Sequence, residues 1–125
     1  MIKVLQFILG ILAGLYIKRY KPAIVAVTGN VGKSSTKEAI GTVLFTHKKT
    51  RVSGGNLNNE IGVPLAILGD WAEVYYEKGS SLMFWSRVMA SGIFGLISAG
   101  DYPEVLVLEY GADRPGDIKR LARKF

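Results

Sequence analysis

The 125-residue chain contains no cysteine and a single histidine, His47. The first absence excludes disulfides, thiolate metal sites and cysteine nucleophiles, and it suits a reducing compartment. The second excludes a multi-histidine metal cluster and leaves little room for a Ser-His-Asp triad. His47 itself, beside Lys48 and Lys49, reads as an exposed residue near a helix C-terminus. Acidic residues are missing from the opening segment. Lys3, Lys18, Arg19 and Lys21 all precede the first of them, so four of the six net positive charges are local and a balance of +2 remains after Lys21. A nucleic-acid binder spreads a basic stripe with interleaved aromatics across its folded face, and no such pattern follows Lys21. No nucleic-acid partner is expected.

A hydrophobic run long enough to cross a bilayer is also lacking. Val4 to Ile17 (VLQFILGILAGLYI) is apolar except for Gln6 and is bracketed by Lys3 and by Lys18-Arg19. As a helix it would span about 21 Å, against a bilayer core of about 30 Å. Lys18, Arg19, Tyr20, Lys21 and Pro22 stand where a signal peptide would need a small-residue cleavage site. Three readings stay open: a helix packed on the domain or on a partner, a helix lying at a membrane interface with its cationic ends on anionic headgroups, and a true span, for which the run is short. Pro22 marks the break before the first strand. At this length, with 49% hydrophobic residues, the chain can build one core but not two ordinary domains. We divide it into an apolar N-terminal helix with basic flanks, residues 1–21, and one domain or part of one, residues 22–125.

What the chain does have is a stretch that organises the rest, Ala23 to Leu44 (AIVAVTGNVGKSSTKEAIGTVL). Ile24 to Val27 is a short continuous apolar run of the kind shown by a strand buried on both faces. Thr28-Gly29-Asn30-Val31-Gly32 then interrupts it with turn chemistry. After Gly32 the period becomes helical, with Ala39, Ile40, Val43 and Leu44 on one face. A glycine-bearing loop feeding a helix exposes unpaired N–H groups at the positive end of the helix dipole, which is a ready phosphate site. In such a loop the lysine, here Lys33, reaches the β- and γ-phosphates, and the following hydroxyl, Ser34, coordinates Mg²⁺. The common form of this motif requires glycine where Val27 stands, so the loop here is the shorter T-G-x-x-G-K-S. The competing reading is a tight turn at Gly29 and Gly32 with Lys33 a solvated surface residue.

Further along, His47 to Ser53 reads as a turn and a short strand ended by Gly54-Gly55. Asn56-Leu57-Asn58-Asn59-Glu60 is a second polar loop feeding an apolar helical pattern at Ile61, Leu65, Ile67 and Leu68. Its simplest reading is an N-cap, with Asn58 or Asn59 bonding the first-turn amides. Ser80 to Ser98 predicts a helix carrying Leu82, Trp85, Val88, Met89 and Ile93 on one side. Arg87 argues against a span there. The aromatics between Gly69 and Gly100 read as core or partner surface. Glu104 to Glu109 (EVLVLE) is a second buried-type strand ending on a carboxylate. In an open α/β sheet ligands gather at the carboxyl ends of strands, so Glu109 should share an edge with the glycine loop and hold Mg²⁺ opposite Ser34. Gly111 to Ile118 then forms a turn, with Pro115 at a helix start, and a basic helix begins over Lys119 to Phe125.

With these residues placed, the chain resembles the Mur ligases, ATP-dependent amide-forming enzymes of peptidoglycan precursor synthesis. VAVTGNVGKSSTKEAI is similar to that family's phosphate loop, whose T-G-x-x-G-K-[ST]-[ST] form accounts for Val27. GNLNNEIGVPLAIL and LVLEYGADRPGDI are similar to segments of the branch that adds D-alanyl-D-alanine to UDP-N-acetylmuramoyl-tripeptide. Asp113 and Arg114 differ from the Asn-His usual in that branch. The resemblance covers about Lys21 to Leu121. It implies an α/β, P-loop NTPase-like fold with a mostly parallel sheet and flanking helices, incomplete because it corresponds to the first half of a Mur ligase central domain. ATP and Mg²⁺ are the implied cofactors. Thr28, Gly29, Asn30, Val31, Gly32, Lys33, Ser34 and Ser35 would hold the phosphates, Lys33 and Glu109 would act in catalysis, Ser34 and Glu109 would hold the metal, and Asn58 and Asn59 would face the phosphate and acceptor site. The implied reaction transfers the γ-phosphoryl group to a carboxylate of a UDP-N-acetylmuramoyl-peptide, giving an acyl phosphate that an amine attacks. The family's further sheet half, C-terminal domain and UDP-sugar domain have no counterpart here, so a fragment inactive alone is expected, in the cytoplasm or at its membrane surface. The alternatives are a nucleotide-binding module docked through its N-terminal helix without ligase chemistry, and a degenerate remnant that would not unfold cooperatively.

Overall fold

Every residue of the run Val-Leu-Val-Leu-Glu at Val105–Glu109 is buried, and the run forms the centre of the sheet. The computed structural model describes residues 2–29, 31–55, 57–79, 81–98, 100–111 and 116–125. In chain order the elements are α1 (Ile2–Tyr20), β1 (Ala23–Val27), α2 (Lys33–Phe45), β2 (Thr50–Val52), α3 (Gly62–Leu68), α4 (Ala72–Lys78), α5 (Leu82–Ile97), β3 (Val105–Glu109) and α6 (Asp117–Lys124). The expected Ser80 start of α5 and the turn at residues 112–115, with Pro115, Asp113 and Arg114, lie outside the described residues.

The three strands form one parallel sheet in the order β1-β3-β2. Val27 pairs with Glu109, and Val52 with Val107. Alternation along β3 separates two layers. Leu106, Leu108 and Tyr110 join the core with α3 and with Leu9, Leu12, Ala13 and Tyr16 of α1. Val105, Val107 and Glu109 point the other way, toward α2, whose Lys37 reaches Glu109. Every residue of α3 is buried, because it lies between the sheet and α1. Tyr16 ties α1 to α5 by donating its hydroxyl to the Gly92 carbonyl at 2.8 Å, and Arg19 donates to the Ser98 carbonyl at 2.8 Å. Trp71, Tyr75, Phe84 and Trp85 cluster between α4 and α5, with the Phe84 and Trp85 rings 4.9 Å apart.

The mixed α/β architecture with a parallel sheet and flanking helices is the expected one. Three details differ. β1 is not buried on both faces: among the described residues it is an edge strand, with Ala23 and Ala26 exposed and only Val27 buried. In α2 the buried positions are Lys37 and Gly41, while Ala39 and Val43 are exposed. Gly41 is there because a Cβ at that point would come within 2.4 Å of Val52 Cγ2, so α2 lies tight against β2 on that side. In α5 the buried stripe is Phe84, Val88 and Gly92, leaving Leu82 and Ile93 exposed. The helix is apolar nearly all round, and the contact with α1 through Gly92 selects the face.

Candidate phosphate-loop site

Between Val27 and Lys33 the chain must reverse from strand to helix in five residues, and the glycines make that path available. Gly29 has φ 137° and Gly32 φ 77°, both in the region that a Cβ disfavours. Nothing lies within 4 Å of where a Cβ on Gly32 would be. Among the described residues no side chain caps α2. The first-turn amides of Lys33, Ser34 and Ser35 therefore keep their donors free of any capping side chain at the positive end of a 13-residue helix. Thr28, Ser34 and Ser35 are exposed at this mouth, and Val31 is 91% exposed at the tip of the loop. Asn30 lies outside the described residues.

Glu109 closes the site from the end of β3. Its carboxylate is 1% exposed and is held by three side chains. Lys33 Nζ stands 3.3 Å from Oε1, Asn58 Nδ2 donates to Oε1 at 3.1 Å, and Lys37 Nζ stands 2.9 Å from Oε2. Burial alone would push this carboxyl up. The hydrogen bond and charge of Lys37, with Asn58 and Lys33, outweigh it and hold Glu109 below its ordinary value. The backbone fixes the same junction, since Tyr110 N–H donates to the Val27 carbonyl at 2.9 Å and Gly111 N–H to the Asn58 carbonyl at 2.7 Å.

The two asparagines divide the roles that the sequence left open. Asn59 Oδ1 accepts from the Ile61 and Gly62 amides at 3.0 and 2.7 Å, so Asn59 secures the entry to α3. Asn58 reaches Glu109. Lys37 was not among the sequence candidates. It is 2% exposed, and besides Glu109 its ammonium donates to the Ser53 and Gly55 carbonyls at 3.0 and 3.1 Å. Its signal was available: Lys33 and Lys37 are one helical turn apart, so both face the strand end that Glu109 occupies.

The oxygen chemistry fits a hard divalent cation bridging to phosphate, since Mg²⁺ takes one or two protein oxygens and leaves the rest to phosphates and water. Ser34 and Glu109 supply such oxygens. Among the described residues no group of three or more His, Cys, Asp or Glu side chains could hold a metal without help from a ligand. Of the two lysines on Glu109, Lys33 is the one with room to leave: its side chain is 20% exposed, against 3% for Lys37.

A glycine loop at a helix start, its lysine, and a carboxylate on the adjacent parallel strand together define an α/β phosphate-loop domain. Comparison with known proteins narrows this. No protein-family profile matches the chain. It is 42% identical over 57 residues to the UDP-N-acetylmuramoyl-tripeptide–D-alanyl-D-alanine ligase of Bacillus subtilis, covering 46% of this chain and 12% of that protein. To the ligase of the same name from Borreliella burgdorferi it is 33% identical over 100 residues, 78% of this chain and 20% of the relative. The crystal structure of MurF ligase from Thermotoga maritima in complex with ADP superimposes with a TM-score of 0.63 at 28% identity, over 95% of this chain and 21% of that one. The chain is thus a homologue of the Mur ligases of the MurF type, and it spans about a fifth or less of the length of these relatives.

Proposed function

We propose that the chain is the ATP-binding part of an ATP-dependent amide-forming ligase of peptidoglycan precursor synthesis, acting on a UDP-N-acetylmuramoyl-peptide in the cytoplasm, with residues 4–17 at a membrane surface. The observation that carries the reading is the convergence of the Gly29–Gly32 loop, Lys33 and Glu109 at one end of two paired parallel strands. The ADP held by the related ligase structure supports the nucleotide class.

ATP, when bound, supplies the phosphoryl group that activates a substrate carboxylate, and Mg²⁺ neutralises its charge. The chain's own part is to bind and orient. The amides from Gly32 to Ser35 would receive phosphate oxygens, with the Thr28 and Ser35 hydroxyls beside them. Lys33 would exchange Glu109 for phosphate, and Ser34 with Glu109 would hold the metal. Lys37 keeps Glu109 ionised and in place throughout, because two carbonyls hold the ammonium independently of Lys33. No protein nucleophile is required, which agrees with the absence of cysteine and the exposure of His47.

Calorimetric titration with Mg-ADP and Mg-ATP tests this. Replacing Lys33 by alanine should weaken binding by at least about tenfold, the order expected from losing one charge-assisted contact to phosphate. Unchanged affinity in Lys33→Ala would remove the loop from nucleotide binding and with it the proposal.

A further inference from the structure

Helix α1 carries two apolar stripes, and only one of them is used by the fold. Leu9, Leu12, Ala13 and Tyr16 are buried against α3 and α5. Val4, Phe7, Ile8, Ile11 and Leu15, at spacings of three and four residues, lie along the opposite side and are 41–69% exposed. The helix cannot turn to hide them, since the hydrogen bonds from Tyr16 to Gly92 and from Arg19 to Ser98 fix its rotation. Burying both stripes requires a second apolar medium.

Charge identifies that medium. Lys3 stands exposed at one end of the outward stripe, and Lys18 and Lys21 stand exposed at the other, about 23 Å away along the helix. The first acidic residue of the chain is Glu38. Between the cationic ends the stripe offers no side-chain donor or acceptor that could set the register of a protein partner. No described helix is long and apolar enough to cross a membrane. An apolar stripe bounded by lysines on a helix whose other side is committed to a core suits a helix lying flat in an interface, aliphatic and aromatic side chains in the acyl boundary and ammonium groups among anionic headgroups. We infer that the outward face of α1 docks on an anionic lipid surface. This deepens the membrane placement proposed above and is independent of the nucleotide site. The open space over Gly10 and Gly14 marks the competing occupant, a helix of a second copy.

The test is co-sedimentation of the 125-residue chain with vesicles of phosphatidylcholine alone and of phosphatidylcholine mixed with phosphatidylglycerol. The chain should pellet with the anionic vesicles and stay largely in solution with the neutral ones. Phe7→Ser/Ile11→Ser should reduce partitioning by at least about tenfold. Lys3→Gln/Lys18→Gln should reduce it by about fivefold per charge removed. All four side chains point away from the core, and Phe45→Ser, an exposed aromatic on α2, should leave binding unchanged. Equal binding to neutral vesicles would overturn the anionic docking while leaving a membrane contact. No binding to either would overturn both. Binding indifferent to Phe7→Ser/Ile11→Ser would move the contact elsewhere. A dimer dissolved by that double substitution would assign the stripe to a second copy and defeat the inference.

Discussion

Glu109 is the residue on which the site turns, and its surroundings make quantitative demands. A carboxylate 1% exposed survives in the interior only because Lys37, Lys33 and Asn58 compensate it. Removing the deepest partner by Lys37→Met leaves the buried carboxylate with Lys33 and Asn58 alone, both on Oε1, and should cost about 3–5 kcal/mol, read by denaturant unfolding. The double substitution Lys37→Met/Glu109→Gln should cost less than Lys37→Met alone, because no buried charge remains. A simple sum of the two single effects would show that the residues are not coupled. The pH dependence has a definite sign. Glu109 titrates below its ordinary value of 4.5 in the folded chain, so its contribution is fully present above that pH and is lost as the pH falls through the lower, folded value. Thermal unfolding between neutral and strongly acid pH should show a steeper acid loss in the parent chain than in Glu109→Gln.

At the scale of elements, the polar loop before α3 is set by a close approach rather than by its asparagines alone. A Cβ on Gly62 would stand 2.6 Å from Leu57 Cα and 2.8 Å from Leu57 C, backbone atoms that cannot yield without moving the loop. Gly62→Ala should therefore destabilise the chain by about 1–3 kcal/mol despite the better helix propensity of alanine. It should also weaken Mg-ADP binding by shifting Asn58 from Glu109. An unfolding midpoint equal to the parent's would show that the loop has slack. Such contacts explain what the sequence could and could not disclose. The three strands, the helix after Gly32 and the placing of Glu109 on the same edge as the glycine loop were legible, because β-branched runs, glycine turns and the strand-end rule are local or topological signals. The faces of α2 and α5 were not: α2 buries a lysine and a glycine in place of its apolar stripe, α5 is apolar nearly all round, and tertiary contact at Gly41 and Gly92 decides which side is buried. Lys37 was missed for a different reason: its spacing from Lys33 pointed to the site, but a buried lysine is unusual, and its two carbonyl acceptors at Ser53 and Gly55 come from the loop after β2, 16 and 18 residues on.

For the whole molecule, the open side of β1 matters most. Parallel strands are ordinarily covered on both sides. Here β3 has neighbours on both edges, whereas β1 has one among the described residues and shows Ala23 and Ala26 to solvent. In the 125-residue chain, native-state hydrogen exchange should protect the β3 amides close to the global stability and the outward β1 amides much less. Equal protection of both strands would mean that the edge of β1 is covered by self-association, the ordinary fate of a bare strand edge.

The central claim, that the Gly29–Ser35 loop receives the phosphates of a nucleotide, is tested most directly by following backbone amide NMR signals while Mg-ADP is added. The account predicts saturable shifts that are largest at Gly29, Gly32, Lys33 and Ser34, with smaller ones at Asn58 and Glu109 as Lys33 leaves the carboxylate. Absence of shifts at millimolar nucleotide, or a saturable response confined to residues away from this loop, would contradict it.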